Sequence, residues 1–379
     1  MEQPKLGSLV EHFATLPDPR VDRTKRHLLL DIIVIAVCAV IGGADTWVDM
    51  EEYGRAKYAW LTRFVRLPNG IPSHDTFARV FARLDPEAFR TCFLTWLAGV
   101  RHRTGGRLTG QCVAIDGKVS RHSFDRALDR GPLHLVSAWA AESRLVLGQV
   151  AVEGKSNEIT AIPALLHLLE LSGCIVTIDA MGTQKEIATT IIEQDADYVL
   201  ALKGNQGTLH EDVELFFTWA DEQQYRDIAH EMYETHDTGH GRVERRRTTV
   251  TNDIAWLRGG GAWEGLQTIA MVEAWRTQGD ETSYERRYYI SSLGLDAQRM
   301  GESVRGHWAI ENMLHWVLDI AFREDDSRIR KDHAPENFAM LRHIALNLLK
   351  HETTNKHGVK VKRNRAGWDN DYFLTVLGV

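Results

Sequence analysis

CVAIDGKVS (residues 112–120) runs four apolar residues into an aspartate. A short apolar run bounded by turn-forming residues reads as a strand buried on both faces. Two more strand-like runs follow, HLVSAWAA (134–141) and RLVLGQVAV (144–152), close enough together for a meander. NEITAIPALLHLLELSG (157–173) changes period: Ile159, Ile162, Leu165, Leu166 and Leu169 share one helical side. Its Pro163 falls in about the first turn, where proline is tolerated. CIVTIDAMG (174–182) is again a buried strand ending on an aspartate. TQKEIATTIIEQDA (183–196) is a helix with Thr183 as N-cap. DYVLALKGNQ (197–206) is a fifth strand, and GTLHEDVELFFTWADEQQ (207–224) a further helix.

The order is therefore βββαβαβα. Together with a late helix, it is the order of a ribonuclease H-like core, an α/β fold on a mixed sheet. A dinucleotide-binding fold would alternate from the start and carry GxGxxG after its first strand. The chain has AIDGKVSRH there.

Outward from this core, residues 1–107 read as helical. LLLDIIVIAVCAVIGG (28–43) and DTWVDMEEYGRAKYAWLTRFV (45–65) have helical patterning, and PSHDTFARVFARLDPEAFR (72–90) holds two short helices. Such a pair fits a DNA-reading helix-turn-helix or plain helix packing equally well. The division expected is 1–107 helical and DNA-associated, 108–229 first part of the core, 230–295 a β-rich insertion, 296–349 second part of the core, and 350–379 a basic tail. The insertion holds the strand-like runs RVERRRTTVTNDIAWL, LQTIAMVEAWRT and SYERRYYISSL.

Bulk properties narrow the class. Of the 379 residues, 44% are hydrophobic and 26% charged, a globular profile. The net charge of −7 supplies no overall basic signal for nucleic acid, so local patches must carry it. Cys38, Cys92, Cys112 and Cys174 are scattered without a CxxC, which fits reduced thiols in the cytoplasm. The apolar run 32–43 is too short for a bilayer, which needs ~20 residues. No membrane association is expected.

Asp116 and Asp179 close the first and fourth strands, which this topology makes neighbours. Ligands gather at the carboxyl ends of such strands. Two adjacent carboxylates repel unless a cation lies between them, and oxygen donors suit Mg²⁺ or Mn²⁺. A lone strand-end Asp is most often a turn or helix cap; two on adjacent strands reverse that reading.

Glu311, in HWAIENMLHW (307–316), is the candidate third carboxylate. At about 100° per residue from His307, Glu311 falls near 40°, His315 near 80° and Asp319 near 120°. Ile310, Met313, Leu314, Val317, Ile320 and Ala321 fall between about 220° and 340°. Trp316, at about 180°, is assigned to the core. Zinc on His307, Glu311 and His315 is disfavoured, because the outer two are ~12 Å apart along a helix.

AIDGK, TIDAMG, ALKGNQG, HGRVERRR, RYYISSL and HWAIENMLHWVLDIAFREDDSRIR together resemble the H-repeat-associated group of bacterial insertion-sequence transposases. The resemblance runs from LVEHFATLPDPR (9–20) to NRAGWDNDYF (364–373). It implies a DDE transposase with Asp116, Asp179 and Glu311 as triad and a strand-rich insertion from about 210 to 295. Related enzymes carry Tyr, Arg and Lys at positions that here are Val304, His307 and Leu318. His307 becomes the candidate for the Arg role, with Arg305, Arg323 and Arg328 as others.

The expected chemistry is phosphoryl transfer with two Mg²⁺ or Mn²⁺ ions ~3.5–4 Å apart. The expected partner is double-stranded DNA, both the element's terminal repeats and the target. A homodimer on paired ends, in the cytoplasm at the nucleoid, is expected. Lys118, Arg121 and His122 lie just after the first aspartate and are candidate DNA contacts. Lys203 in ALKGNQG, Arg242, Arg245, Arg246, His307, Arg323 and Arg328 complete that set. Basic patches at 20–26, 241–247 and 350–366 are further candidates, against an even expectation that each is a solvated face. A binding-only relative and a structure-selective nuclease with the same core are the rival readings.

Overall fold

The computed structural model describes residues 7–104, 108–124, 131–152, 157–239 and 241–378. The boundary expected at 107/108 abuts residues 105–107, and His240 of HGRVERRR likewise lies outside the described residues.

Helices come first: α1 (Gly7–Phe13), α2 (Leu29–Ile41), α3 (Trp47–Ala56), α4 (Tyr58–Leu61), α5 (His74–Arg83) and α6 (Pro86–Thr104). The apolar run read as a core helix is α2. It is buried along nearly its whole length. Asp31, the acid in its first turn, accepts the backbone N–H groups of Arg66 and Leu67.

Then follow β1 (Cys112–Ser120), β2 (Leu133–Ala140), β3 (Leu145–Ala151), α7 (Glu158–His167), β4 (Ile175–Ile178), α8 (Lys185–Glu193), β5 (Asp197–Leu202) and α9 (Thr208–Glu222). This is the order read from the sequence. β1 pairs antiparallel with β2 and parallel with β4, so the two aspartate-bearing strands are neighbours. Thr183 does not cap α8; Gln184 occupies that position. The Thr183 hydroxyl instead donates to the carbonyls of Asp179 and Ala201, tying the end of β4 to β5.

Four further strands, β6 (His230–Gly239), β7 (Arg242–Thr251), β8 (Thr268–Gln278) and β9 (Glu281–Ser291), form antiparallel hairpins. The sequence reading found three strand-like runs here and passed over β6, whose HEMYETHDTG has little apolar alternation. These strands continue the same sheet, because β9 pairs with β5. The result is one nine-stranded mixed sheet in the order β3-β2-β1-β4-β5-β9-β8-β7-β6, with helices around it.

The chain ends in α10 (Ala297–Ile310), a π turn (Glu311–His315), α11 (Trp316–Phe322), α12 (Ala334–His351), α13 (Val359–Trp368) and α14 (Asn370–Leu377). Asp296 caps α10 by accepting from the Arg299 N–H. Gly306 lets α10 lie close on β1, since a Cβ there would sit 2.8 Å from the Cys112 sulfur. Among the described residues, no helix is long and apolar enough to cross a membrane.

The basic stretch after residue 350 is not a free tail. Lys362 and Arg363 are buried. Lys362 Nζ donates to the Leu349 and Glu352 carbonyls. The Arg363 guanidinium donates to the carbonyls of Val40, Ala321 and Ala44 and to Asp45. These two charges staple α13 to the helical layer, because buried carbonyls need donors.

Candidate active site

The site begins where β1 and β4 stop running together. Their last paired residues are Ile115 and Ile178, so Asp116 and Asp179 come next on adjacent parallel strands. Asp179 Oδ1 accepts from the backbone N–H of Met181 at 3.0 Å and of Gly182 at 3.3 Å. That turn fixes one carboxylate oxygen and, among the described residues, leaves the other without a hydrogen bond.

Glu311 reaches the same place through the π turn. A π turn holds one residue more than the α-helix it interrupts. Every later residue is therefore set back by roughly 100° relative to a uniform wheel. This shift explains three departures from the sequence reading. His315, expected on the polar side, is 4% exposed. Trp316, assigned to the core, is 58% exposed, and Ile320 is exposed beside it. Leu318, near 20° on the uniform wheel, is buried.

His315 Nδ1 lies 3.2 Å from Glu311 Oε2 and 3.5 Å from Asp116 Oδ2. One donor atom from each of Asp116, Glu311 and His315 falls within 4.8 Å of the others. Two carboxylate oxygens and an imidazole nitrogen at that spacing are a donor set that fits a divalent cation. The electrostatics agree. Burial, then the negative charges of Glu158, Asp179 and Glu311, push the Asp116 carboxyl up to about 7. Burial lowers the His315 pKa against the opposing pull of Glu311. Glu158 did not stand out in the sequence: an acid in a helix's first turn is ordinary dipole chemistry.

The residues proposed from sequence for DNA fall into two groups. Lys118 Nζ donates to Asp319 at 2.7 Å and Asp325 at 3.1 Å and lies 3.7 Å from Glu324, so its charge is consumed by the protein. His307 Nδ1 lies 3.1 Å from the Thr177 hydroxyl, and burial lowers its pKa to about 4. Its ring is turned to Thr177, and burial favours the neutral imidazole over a cation. Val304 and Leu318 are core residues. Arg242 and Arg246 meet Glu244, Arg246 also meets Asp237, and Arg245 meets Glu234 at 2.8 Å. Glu244 belongs to the same run, whereas Glu234 and Asp237 come from β6, so folding sets further acids against the +3 of residues 241–247. In the 20–26 patch, Arg20 meets Asp18 and Lys25 meets Asp22.

The second group stays available. Lys203 and Arg328 are exposed, without an ion pair among the described residues. Arg121 is highly exposed at 3.3 Å from Asp325, Arg323 is exposed beside Asp326, and His122 Nδ1 contacts the Asp325 carbonyl. Lys203 lines a cavity of about 240 Å³ that opens beside Asp179 and includes His307, Trp308, Arg287 and Tyr288. A second cavity of about 330 Å³ lies along α10 over β6–β9 and shares Arg287 and Trp308 with the first. The Arg287 guanidinium stacks 4.2 Å over the Trp308 ring.

Residues 107–348 match the model of the family described as "Transposase DDE domain", and residues 10–97 match one described as "DDE_Tnp_1-associated". The chain is 41% identical over 381 residues to "Putative transposase YncI" of Escherichia coli O157:H7, covering 98% of this chain and 95% of that protein. It is 38% identical over 383 residues to "H repeat-associated putative transposase YhhI" of Escherichia coli K12, covering 98% of each. Among solved structures, a cryo-EM piggyBac transposase synaptic complex with hairpin DNA aligns at TM-score 0.39 and 11% identity, covering 95% of this chain and 75% of that one.

Proposed function

The chain belongs to the DDE transposase family, and from that premise we propose that it cuts DNA at the ends of an insertion element and joins the freed 3′-hydroxyl to target DNA. Asp116, Asp179 and Glu311 are the catalytic triad in this reading. The observation that carries it is the meeting of Asp116 and Glu311 at the point where β1 and β4, the strands bearing Asp116 and Asp179, part.

Members of this family use divalent metal ions, and these three carboxylates would hold Mg²⁺ or Mn²⁺, two ions in all. Bound there, the ions supply Lewis-acid activation of the attacking and leaving oxygens of a phosphodiester. The protein's own part is to hold like charges together before any cation arrives. Thr183 pins the Asp179 strand end to β5. The Met181 and Gly182 amides orient the Asp179 carboxylate, and His315 holds Glu311 toward Asp116.

Double-stranded DNA, at element ends and target, is the proposed substrate. Lys203 meets a phosphate beside Asp179, and Arg121, Arg323 and Arg328 meet the duplex on the other side of the centre. We assign β1–β5 with α7–α9 and the Glu311 helix to a ribonuclease H-like core, β6–β9 to an insertion within it, and residues 7–104 to end recognition. The acting species is a homodimer pairing two ends.

The deciding experiment is strand transfer by the purified protein, with Mn²⁺ and duplexes carrying the element's own end sequences. Joined product is expected. Cleavage without joining would replace this reading with that of a structure-selective nuclease, and the absence of both products would overturn it.

A further inference from the structure

We propose that Glu158, at the N-terminus of α7, is a fourth carboxylate of the catalytic centre, held there by His134 and admitted by the missing side chain of Gly117. The proposal rests on the transposase reading above and adds a residue to it.

The geometry starts at Gly117, next to Asp116 on β1. A Cβ at this position would lie 2.1 Å from Glu158 Oε1, 2.4 Å from its Cδ and 2.8 Å from His134 Nε2. The backbone there is ordinary strand, paired with Val136. Glycine is therefore required by space and not by its dihedral freedom. What fills the space is a carboxylate, pressed against the backbone of the residue following the first triad aspartate.

The same carboxylate is deliberately held. His134 Nε2 lies 2.8 Å from Glu158 Oε1, and His134 sits on β2 opposite Val119, on the same side of the sheet as Gly117. Asn157 caps α7 through the Ile159 N–H and so sets the direction of the residue between them. The Glu158 side chain is 13% exposed, unlike a solvated acid at a helix start.

Charge balance indicates what the fourth acid is for. Asp116, Asp179, Glu311 and Glu158 carry four negative charges when ionised. Among the described residues, the basic side chains in ion-pair contact with them are the imidazoles of His134 and His315. Lys118, the nearest lysine in sequence, is held by Asp319, Glu324 and Asp325. Two divalent cations neutralise four carboxylates; with three, an excess positive charge would remain.

The test is Mn²⁺ binding to the full-length protein without DNA, followed by electron paramagnetic resonance, alongside thermal unfolding of the metal-free protein. Asp116→Asn serves as the reference. Glu158→Gln keeps the size of the side chain and a hydrogen-bonding oxygen, and is expected to weaken Mn²⁺ binding at least about tenfold without lowering the metal-free Tm. A wild-type isotherm in Glu158→Gln, with binding lost in Asp116→Asn, overturns the fourth carboxylate and leaves the triad standing. Unchanged binding in Asp116→Asn overturns the triad itself. Gly117→Ala should weaken Mn²⁺ binding as Glu158→Gln does, yet add nothing in a background carrying both His134→Ala and Glu158→Ala, where the two side chains it would meet are gone. An equal further loss in that background overturns the role given to Gly117.

Discussion

At one end of the sheet, Arg242, Arg246 and Arg276 converge on Glu244, while Arg245 and Arg247 converge on Glu234. Where β1 and β4 part, inside the sheet, Asp116 lies among Glu158, Asp179 and Glu311, with the imidazoles of His134 and His315 set against these acids. Both regions are dense in charge. In the first, each strand supplies the counter-charge of the next. In the second, like charges are held together by backbone amides, a threonine and two histidines. Matched charge builds structure; like charge retained in a partly buried place costs stability and marks where a ligand or reaction is served.

The comparison breaks most sharply at the triad. Asp116→Asn, Asp179→Asn and Glu311→Gln should each lower strand transfer by at least about 1,000-fold, ~4 kcal/mol of barrier. Binding of end DNA in a gel-shift assay should persist. Activity retained in any of them would mean the uncompensated cluster is not the catalytic centre.

The same cluster should cost stability without metal. The Asp116 pKa rises from 3.8 to about 7 on folding, so between those pH values the native state holds a proton that the unfolded chain has released. Its contribution to stability is present below pH 4 and lost as pH rises toward 7. Asp116→Asn lacks this loss. In metal-free urea titrations it should exceed the wild type by up to ~4 kcal/mol near pH 7, and the gap should close below pH 4. Added Mn²⁺ should narrow the gap at pH 7 by stabilising the wild type.

Lys118 tests the matched side of the comparison within a few ångströms of the site. Lys118→Met leaves Asp319, Glu324 and Asp325 without their shared cation and should destabilise by ~3 kcal/mol. Urea unfolding reads this loss directly. The salt slope of DNA binding should not change, because this charge is already spent.

The smallest effects separate free from paired cations on the surface. Arg328→Ala should reduce the logarithmic salt slope of DNA binding by about 1. Arg245→Ala should leave that slope nearly unchanged and cost at most ~1 kcal/mol in stability, since Glu234 already engages it. A full unit of slope from Arg245 would mean that the hairpin arginines exchange their acids for phosphates on binding.

The strand-end aspartates and the order of β1 to α9 could be read directly, because buried strands announce themselves by continuous apolar runs and helices by their period. β6 could not. Its alternating His, Glu, Met, Tyr, Glu and Thr carry no apolar signal, and an edge strand takes its shape from the neighbour it pairs with. The charge patches misled for a related reason. A run such as GRVERRR shows its own net charge, whereas Glu234, Asp237 and Glu273 come from other strands. Glu158 gave no signal, since an acid after an Asn cap has a sufficient local reason to be there.

The sequence alone determined the periodicities, the chemistry available at each strand end and the family likeness, because these are properties of neighbours along the chain. Only the tertiary structure decided which charges remain free. It also decided where the Glu311 helix breaks its own period: the one-residue surplus of the π turn turned His315 inward and Trp316 outward, which a uniform 100° step cannot represent. HWAIENMLHW names a helix, a glutamate and two histidines. The fold makes one histidine a partner of Thr177 and the other the group between Asp116 and Glu311, because burial and approach depend on residues up to two hundred positions away.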